Sequence, residues 1–302
     1  MSEPQADPSL APDREKAIRA IKILLFSASI VAAIVGGAVA ASVAHVSLFL
    51  FFLATAGLFI GQAGGDYLYY YFTHFHTDAR DAHTKIFAGW RPLFTGTVIQ
   101  PEQTLHAGIV CLALDLAIAA FFVLRLGPDI LWFALGGGLV AIFFTPLMLR
   151  GLKEPVIFVT FGPLCIVGMA FALTGSWAIL VPALVASVPV GIFITVVAYL
   201  KSARFDVVDA AGESVVLKLS RAAIIVLLAL GYLSLIVGVV ARVLPPLSLL
   251  GLVSLPLAVG VVRVVRGTSS RVSEYLWATV RSIVVSVVVG LFIAAAFVIP
   301  IS

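Results

Sequence analysis

The chain collects carboxylates and histidines at one place, directly after an apolar run. The segment "GGDYLYYYFTHFHTDARDAHTK", residues 64–85, contains three aspartates, three of the chain's five histidines, an arginine and a lysine. If the preceding helix continues through this segment, polar residues recur every four positions and form a slowly drifting stripe on one face. They are Asp66, Tyr70, His74 and Asp78. Such a stripe places carboxylates near enough to repel one another.

A second polar segment, "YLKSARFDVVDAAGES", occupies residues 199–214. Its acids Asp206, Asp209 and Glu213 recur at i, i+3 and i+7, which places them on one helical face. A divalent cation relieves repulsion among carboxylates, and Mg²⁺ prefers such hard oxygen ligands, with water and phosphate oxygens completing its shell. We therefore expect Mg²⁺ to be the cofactor of a site that both segments share.

Four basic residues lie close to these acids in the sequence: Lys85, Arg91, Lys201 and Arg204. Lysine and arginine side chains bind phosphate oxygens directly. Acids and bases around a metal at a membrane face predict a lipid diphosphate whose tail enters a helical bundle. The alternative is a pair of ordinary solvated loops, because charge is common at the ends of membrane helices.

The composition indicates a multi-pass membrane protein. Hydrophobic residues make up 62% of the 302 residues and charged residues only 11%, far from the values of a soluble domain. Cys111 and Cys165 fall in separate apolar runs, so they form neither a disulfide framework nor a metal knuckle. Runs of about 18 or more apolar residues predict nine membrane helices and an all-α fold. The predicted spans lie near residues 23–43, 46–63, 104–124, 130–149, 155–174, 177–199, 221–241, 245–263 and 282–300.

The distribution of basic residues predicts the orientation. With the N-terminus in the cytoplasm, 17 of the 19 lysines and arginines lie inside, and only Arg125 and Arg242 lie outside. Nine spans then place the C-terminus outside. We expect a cytoplasmic tail at residues 1–20 and one transmembrane domain at 21–302, in the plasma membrane. Residues 64–103 and 200–220 become cytoplasmic active-site loops, and 264–281 a third polar connection.

These motifs resemble the UbiA superfamily of intramembrane prenyltransferases, and within it the MenA-like naphthoate polyprenyltransferases. The family's first segment reads roughly N-D-Y-x-D followed by G-x-D, and "GGDYLY" aligns Asp66 with its first aspartate and Asp78 with its last. The second family segment, roughly D-x-x-x-D-x-x-x-G-K-x-T-L, resembles "FDVVDAAGESVVL", which supplies Asp206 and Asp209. Further resemblance lies in "GWRPLFTGTVIQPEQTL", where Arg91 matches, and in "FGPLCIVGMAFALTG".

The chain also departs from the family pattern. Gly65 stands where the family has asparagine, Tyr69 where it has the second aspartate, and Glu213 where it has lysine. Side chains that could substitute as polar contacts are Tyr70, His74, His76 and Glu213. Imidazole, however, suits Zn²⁺ or Mn²⁺ better than Mg²⁺.

The resemblance implies a nine-helix bundle whose four aspartates hold Mg²⁺, whereas Lys85, Arg91, Lys201 and Arg204 bind the diphosphate of a polyprenyl donor. The implied reaction transfers the prenyl group to an aromatic acceptor of quinone biosynthesis. The MenA-like branch favours dihydroxynaphthoate, and hence menaquinone biosynthesis. No nucleic-acid partner is expected.

Two alternatives within the superfamily remain open: a catalytically divergent protein that only binds an isoprenoid, and a terpene cyclase. A transporter is disfavoured, because transporters place binding groups near the midplane whereas the polar residues here cluster at one face.

Two further features need an explanation. Asp115 lies in the middle of the third predicted span, and an intramembrane acid is a functional candidate by default. A hydroxyl partner or a protonated state would make it merely structural. Lys153 and Glu154 open the fifth span, where they could pair with each other or line the entrance of the site.

Overall fold

The structure is a computed structural model that describes residues 26–75, 92, 94–96, 98–202, 215–267 and 272–299. Within these residues the chain folds into ten α-helices and no extended sheet. The helices are α1 (Ser27–Ala41), α2 (Leu48–Phe75), α3 (Thr104–Leu126), α4 (Leu131–Leu149), α5 (Lys153–Val159), α6 (Cys165–Thr174), α7 (Leu180–Ser202), α8 (Val215–Val240), α9 (Leu255–Arg266) and α10 (Val272–Val298). A π-helical turn, Thr160–Leu164, joins α5 to α6 into one span.

The fold is that of a multi-pass membrane protein. In the described part of the chain, eight spans are long and apolar enough to cross a bilayer, and the shorter apolar helix α1 has 15 residues. The first predicted span begins at residue 23, outside the described residues. The total of nine spans, the orientation of the termini and the division into tail and domain therefore stay predictions.

Three predicted boundaries differ clearly from the structure. Helix α2 continues to Phe75, well past its apolar run, helix α8 begins at Val215 inside the predicted loop 200–220, and helix α10 begins at Val272 rather than near residue 282. The prediction of a long polar connection at 264–281 is wrong, because α9 extends to Arg266 and only a short stretch separates it from α10. A helix of 27 residues is about 40 Å long, so α10 exceeds the roughly 30 Å hydrocarbon core and its polar first turns remain helical beyond that core.

The buried core lies where α1, α6, α7 and α10 pack together. Small residues allow this close packing, as is usual between membrane helices. A Cβ atom added to Gly36 of α1 would lie 2.6 Å from the backbone oxygen of Ile166 on α6. A Cβ atom on Gly191 of α7 would lie 3.1 Å from the Cα of Gly162 in the π turn. Any larger side chain at these positions would push the helices apart.

Helices α3 and α4 form an outer group beside this core, and α2 packs on both of them. Gly64 of α2 packs against Cys111 and Leu112 of α3, and Gly108 of α3 packs against Leu68. Much of the apolar surface of α3 and α4 is exposed, as expected of helices that face lipid. Helix α2 therefore lies between the outer helices and the core.

Candidate active site

Helix α2 has three faces, each with its own partner. One face carries Gly57, Gly61 and Gly64 and packs on α3. A second face, formed by Gly65 and Tyr69, packs on α4. At 100° per residue, Asp66 lies about 140° around the helix from Gly61, so it points away from α3 and towards the bundle interior.

Asp66 lies within electrostatic range of the end of α7. Its carboxylate interacts electrostatically with the ammonium group of Lys201, and both side chains are partly buried. Lys201 belongs to the last turn of α7, directly before the second polar segment. The ends of α2 and α7, which lead into the two polar segments, therefore lie at the same end of the bundle and within electrostatic range of each other, although the two helices hardly pack together.

Tyr70 lies one turn beyond Asp66 and is buried, 5% exposed. The backbone of His74 continues the helix, so the first three members of the predicted stripe share one helix. This confirms the helical extension on which that stripe depends, as far as Phe75.

The two departures from the family motif on α2 have a common structural explanation. A Cβ atom at Gly65 would contact Ala141 of α4 at 3.7 Å from its Cα. The ring of Tyr69 packs edge-to-face on Phe144 of α4, with the ring centroids 5.7 Å apart. These two positions therefore serve packing between α2 and α4.

A second charged contact lies on the other side of α7. The carboxylate of Glu154, in the first turn of α5, interacts electrostatically with the Tyr199 hydroxyl. Tyr199 precedes Lys201 by two residues, so the start of α5 joins the ends of α2 and α7 at this end of the bundle. Tyr199 was not among the predicted site residues, although its position close to Lys201 at a helix end was a usable signal.

Most of the predicted site residues lie outside the described residues. These are His76, Asp78, Lys85, Arg91, Arg204, Asp206, Asp209 and Glu213, and the side chain of His74. Among the residues that are described, no group of three or more His, Cys, Asp or Glu side chains could hold a metal ion. Of the four predicted aspartate ligands, the structure therefore places only Asp66.

Asp115 does not belong to this group. Its carboxylate lies against the glycine face of α2, where a Cβ atom at Gly61 would be 2.9 Å from Oδ2 and one at Gly57 would be 3.2 Å from Oδ1. Gly61 precedes Asp66 by five residues, which is about 7 Å along the helix axis, and lies on a different face. Asp115 is thus part of the interface between α2 and α3.

The chain resembles known proteins only weakly. No family model matches the chain, and no curated protein matches its sequence. Among solved structures, the chain is similar to one from a study of structural and mechanistic insights into the biosynthesis of digeranylgeranylglyceryl phosphate synthase in membranes. The identity is 14%, the alignment covers 94% of this chain and 99% of that chain, and the TM-score is 0.46. A likeness at this level establishes neither a shared fold nor a shared activity.

Proposed function

We propose that this protein is an intramembrane prenyltransferase of the UbiA type, which transfers a polyprenyl group from a diphosphate donor to an aromatic acceptor. The observation that supports it best is the electrostatic interaction of Asp66 with Lys201, which places the two helix ends that lead into the acid-bearing segments at the same end of the bundle. An acid and a base at the same end of an apolar bundle match a substrate with an anionic head and an apolar tail.

The donor set suits Mg²⁺. Asp66, Asp78, Asp206 and Asp209 are hard oxygen ligands, and Asp66 is partly buried and faces the bundle interior beside Lys201. When bound there, Mg²⁺ would act as a Lewis acid towards the leaving diphosphate. His74 and His76 could contact phosphate, and Glu213 stands close to the second pair of aspartates in the sequence.

The protein's own groups would bind and ionise the donor. Lys201, with Lys85, Arg91 and Arg204, donates hydrogen bonds to the diphosphate oxygens. These cations neutralise the charge that grows as the allylic C–O bond breaks and the diphosphate leaves with the electron pair. The carbon then forms a bond to the electron-rich ring of the acceptor, which loses a proton.

Water would capture the allylic cation first, so the reaction requires a dry site. The apolar helices around Asp66 exclude water from the prenyl chain. Tyr67 and Tyr70, which are 6% and 5% exposed, follow Asp66 on α2. Their ring faces can stabilise positive charge on the prenyl group. A dihydroxynaphthoate acceptor, the donor's chain length and a plasma-membrane location belong to this proposal as its finer points.

One observation favours a second candidate, an isoprenoid-binding protein without transferase activity. The position of the family's second aspartate is occupied by Tyr69, whose ring packs on Phe144 and which supplies no carboxylate. A protein that keeps Lys201 as an anchor for the diphosphate but lacks a complete metal site would bind the donor without ionising it.

An assay on membrane fractions separates the two candidates. We would supply a radiolabelled polyprenyl diphosphate, Mg²⁺ and a panel of aromatic acceptors, and compare Asp66→Ala and Asp206→Ala with the unchanged protein. Transfer that depends on the metal and disappears in both variants supports the transferase. Asp129→Asn, at the opposite end of the bundle, is the matched control and should stay active.

If no acceptor and no divalent metal yields diphosphate release from folded protein that still binds the donor, the transferase proposal fails. Release of diphosphate with a cyclic hydrocarbon product, and no transfer to any acceptor, would identify a terpene cyclase instead.

A further inference from the structure

The hairpin formed by α9 and α10 carries a strong excess of positive charge. Between residues 255 and 299 the sequence contains four arginines and a single acid, Glu274. Three of these arginines, Arg263, Arg266 and Arg281, are described and exposed, whereas Arg271 lies outside the described residues. Most of this positive charge thus has no acidic counterpart within the hairpin.

The two helices bring these arginines to one side. The Arg281 side chain of α10 lies across Gly260 of α9, where an added Cβ atom would be 3.3 Å from Nη1 and 3.6 Å from Cδ. Arg263 follows Gly260 by three residues. At 100° per residue, it lies between the directions of Val259 and Gly260 on the helix. The guanidinium groups of Arg263 and Arg281 therefore face the same surface.

An apolar stripe runs along α9 up to these arginines. The stripe consists of Leu255, which is 41% exposed, Val259, which is 46% exposed, and Arg263, spaced four residues apart on one face of the helix. Arg266 lies almost one turn further along the same side. The apolar part matches lipid tails, and the basic part matches the level of the headgroups.

Trp277 supports this placement. It is 37% exposed and precedes Arg281 by four residues, so both side chains lie on the same face of α10. Tryptophan side chains are enriched where membrane meets water, because the ring is apolar and its N–H is polar. The basic cluster therefore lies at the membrane interface and not in bulk solvent.

We propose that Arg263, Arg266 and Arg281 bind the phosphate of an anionic phospholipid, with an acyl chain of that lipid along Leu255 and Val259. Basic side chains at this boundary attract anionic lipid headgroups. One guanidinium group can donate two parallel hydrogen bonds to two oxygens of the same phosphate. The continuity of apolar and basic surface favours a lipid over a soluble phosphate, because a soluble phosphate has no apolar part that could contact Leu255 and Val259.

The interaction of arginines with the end of a helix explains only part of this cluster. Arg263 and Arg266 lie in the last turn of α9, where cations favour the exposed carbonyl groups of the helix. Arg281 belongs to a different helix, in its third turn, and yet its guanidinium reaches α9 at Gly260. A shared anionic ligand accounts for arginines from both helices.

Native mass spectrometry of the purified full-length chain in detergent tests the proposal. The protein would be titrated with phosphatidylglycerol and with phosphatidylcholine of the same acyl chains. Because each arginine near the surface contributes about 1 kcal/mol to such binding, R263Q/R281Q should weaken phosphatidylglycerol binding at least about tenfold. Binding of phosphatidylcholine should not change, and R263K/R281K should retain most of the affinity.

The matched control is R125Q/R242Q, which removes two exposed arginines at the opposite end of the bundle. Unchanged phosphatidylglycerol affinity in R263Q/R281Q, or an equal loss in the control, would overturn the proposal. Complete displacement of the lipid by excess inorganic phosphate would also overturn it, since the site would then take a soluble anion. If the double variant does not fold, R263Q alone should show a loss of about fivefold.

Discussion

Helix α7 and the outer helices α3 and α4 are similarly apolar but differ in what they contact. In the most apolar part of the span Trp177–Lys201, which contains α7, 67% of residues are buried in protein. The corresponding figure is 11% for both Pro101–Leu126 and Pro128–Leu149, which contain α3 and α4. In a bilayer, lipid tails solvate apolar side chains as well as protein does, so hydropathy alone does not decide which helix is central. Close contacts at small residues decide it.

The candidate site lies between these two environments. Helix α2 turns its Gly65 and Tyr69 face to α4 and presents Asp66 to Lys201 of α7. A charge placed on the exposed surface of α4 would face lipid, whereas the charge of Asp66 on α2 interacts with that of Lys201 on α7. The polar chemistry is therefore expected where the outer group meets the central helix.

The largest effect should come from the charges on this boundary. We expect Asp66→Asn and Lys201→Met each to lower kcat/KM for prenyl transfer about 100-fold or more, because each would remove a group that holds the diphosphate or its metal. Each single change also removes an electrostatic attraction between two partly buried groups, which lowers thermal stability.

The double variant Asp66→Asn/Lys201→Met separates the two roles. It should recover the stability that the single variants lose, and it should stay inactive. Recovery of activity in the double variant would mean that the pair only stabilises the fold. Diphosphate release and thermal unfolding, measured on the same preparations, give both answers.

A smaller effect should distinguish glycines of the core from glycines of the outer group. Gly36→Ala places a Cβ atom 2.6 Å from the backbone oxygen of Ile166, and we expect it to lower the free energy of unfolding by about 1–3 kcal/mol. Gly137→Ala on α4 meets no described atom within 4 Å and should be neutral, or stabilising by up to about 1 kcal/mol.

Thermal unfolding in one detergent provides this measurement. Equal destabilisation by both glycine variants would show that α4 also packs against protein, through contacts absent from the single chain. The contrast between core and outer group would then apply only to the isolated subunit.

The smallest effect should be the difference in unfolding free energy between losing a buried hydrogen bond and losing an exposed one. The Tyr232 hydroxyl lies 2.8 Å from Ser254 Oγ, which itself donates to the Gly251 carbonyl oxygen. Ser254→Ala leaves the Tyr232 hydroxyl without this acceptor and should cost about 1–2 kcal/mol. Asp129→Ala removes the exposed acceptor of the Trp177 indole N–H and should cost less than about 0.5 kcal/mol. Chemical unfolding at several denaturant concentrations would resolve the difference, and a larger cost for Asp129→Ala would contradict it.

Much of the helical layout could be predicted from the sequence because apolar length is a local property. The predicted spans at 104–124 and 130–149 differ from α3 and α4 by at most two residues at either end. The starts and ends of α2 and α10 were less predictable, since hydropathy detects the apolar part of a helix and not its polar extension. The first turns of α10, with Glu274, were for this reason assigned to a loop.

The site could be predicted only in part, for a different physical reason. The sequence places Asp66 and Lys201 near helix ends, and the structure brings these two together. Which face of α2 meets α4, however, depends on helix rotation, which is set by packing partners far away in the sequence. The packing roles of Gly65 and Tyr69 follow from that rotation and had no local signal of comparable strength.

The π turn at Thr160–Leu164 bears on how related chains should be compared. A π turn holds one residue more than an α-helical turn, so it rotates α5 by about 100° relative to α6. With this extra residue Glu154 faces Tyr199 while Gly162 meets Gly191. A homologue without it would align with a one-residue gap inside this span and would present a different residue to the end of α7. Ancestry traced through this helix should therefore treat that gap as a change in the residue that faces the end of α7 and not as noise in the alignment.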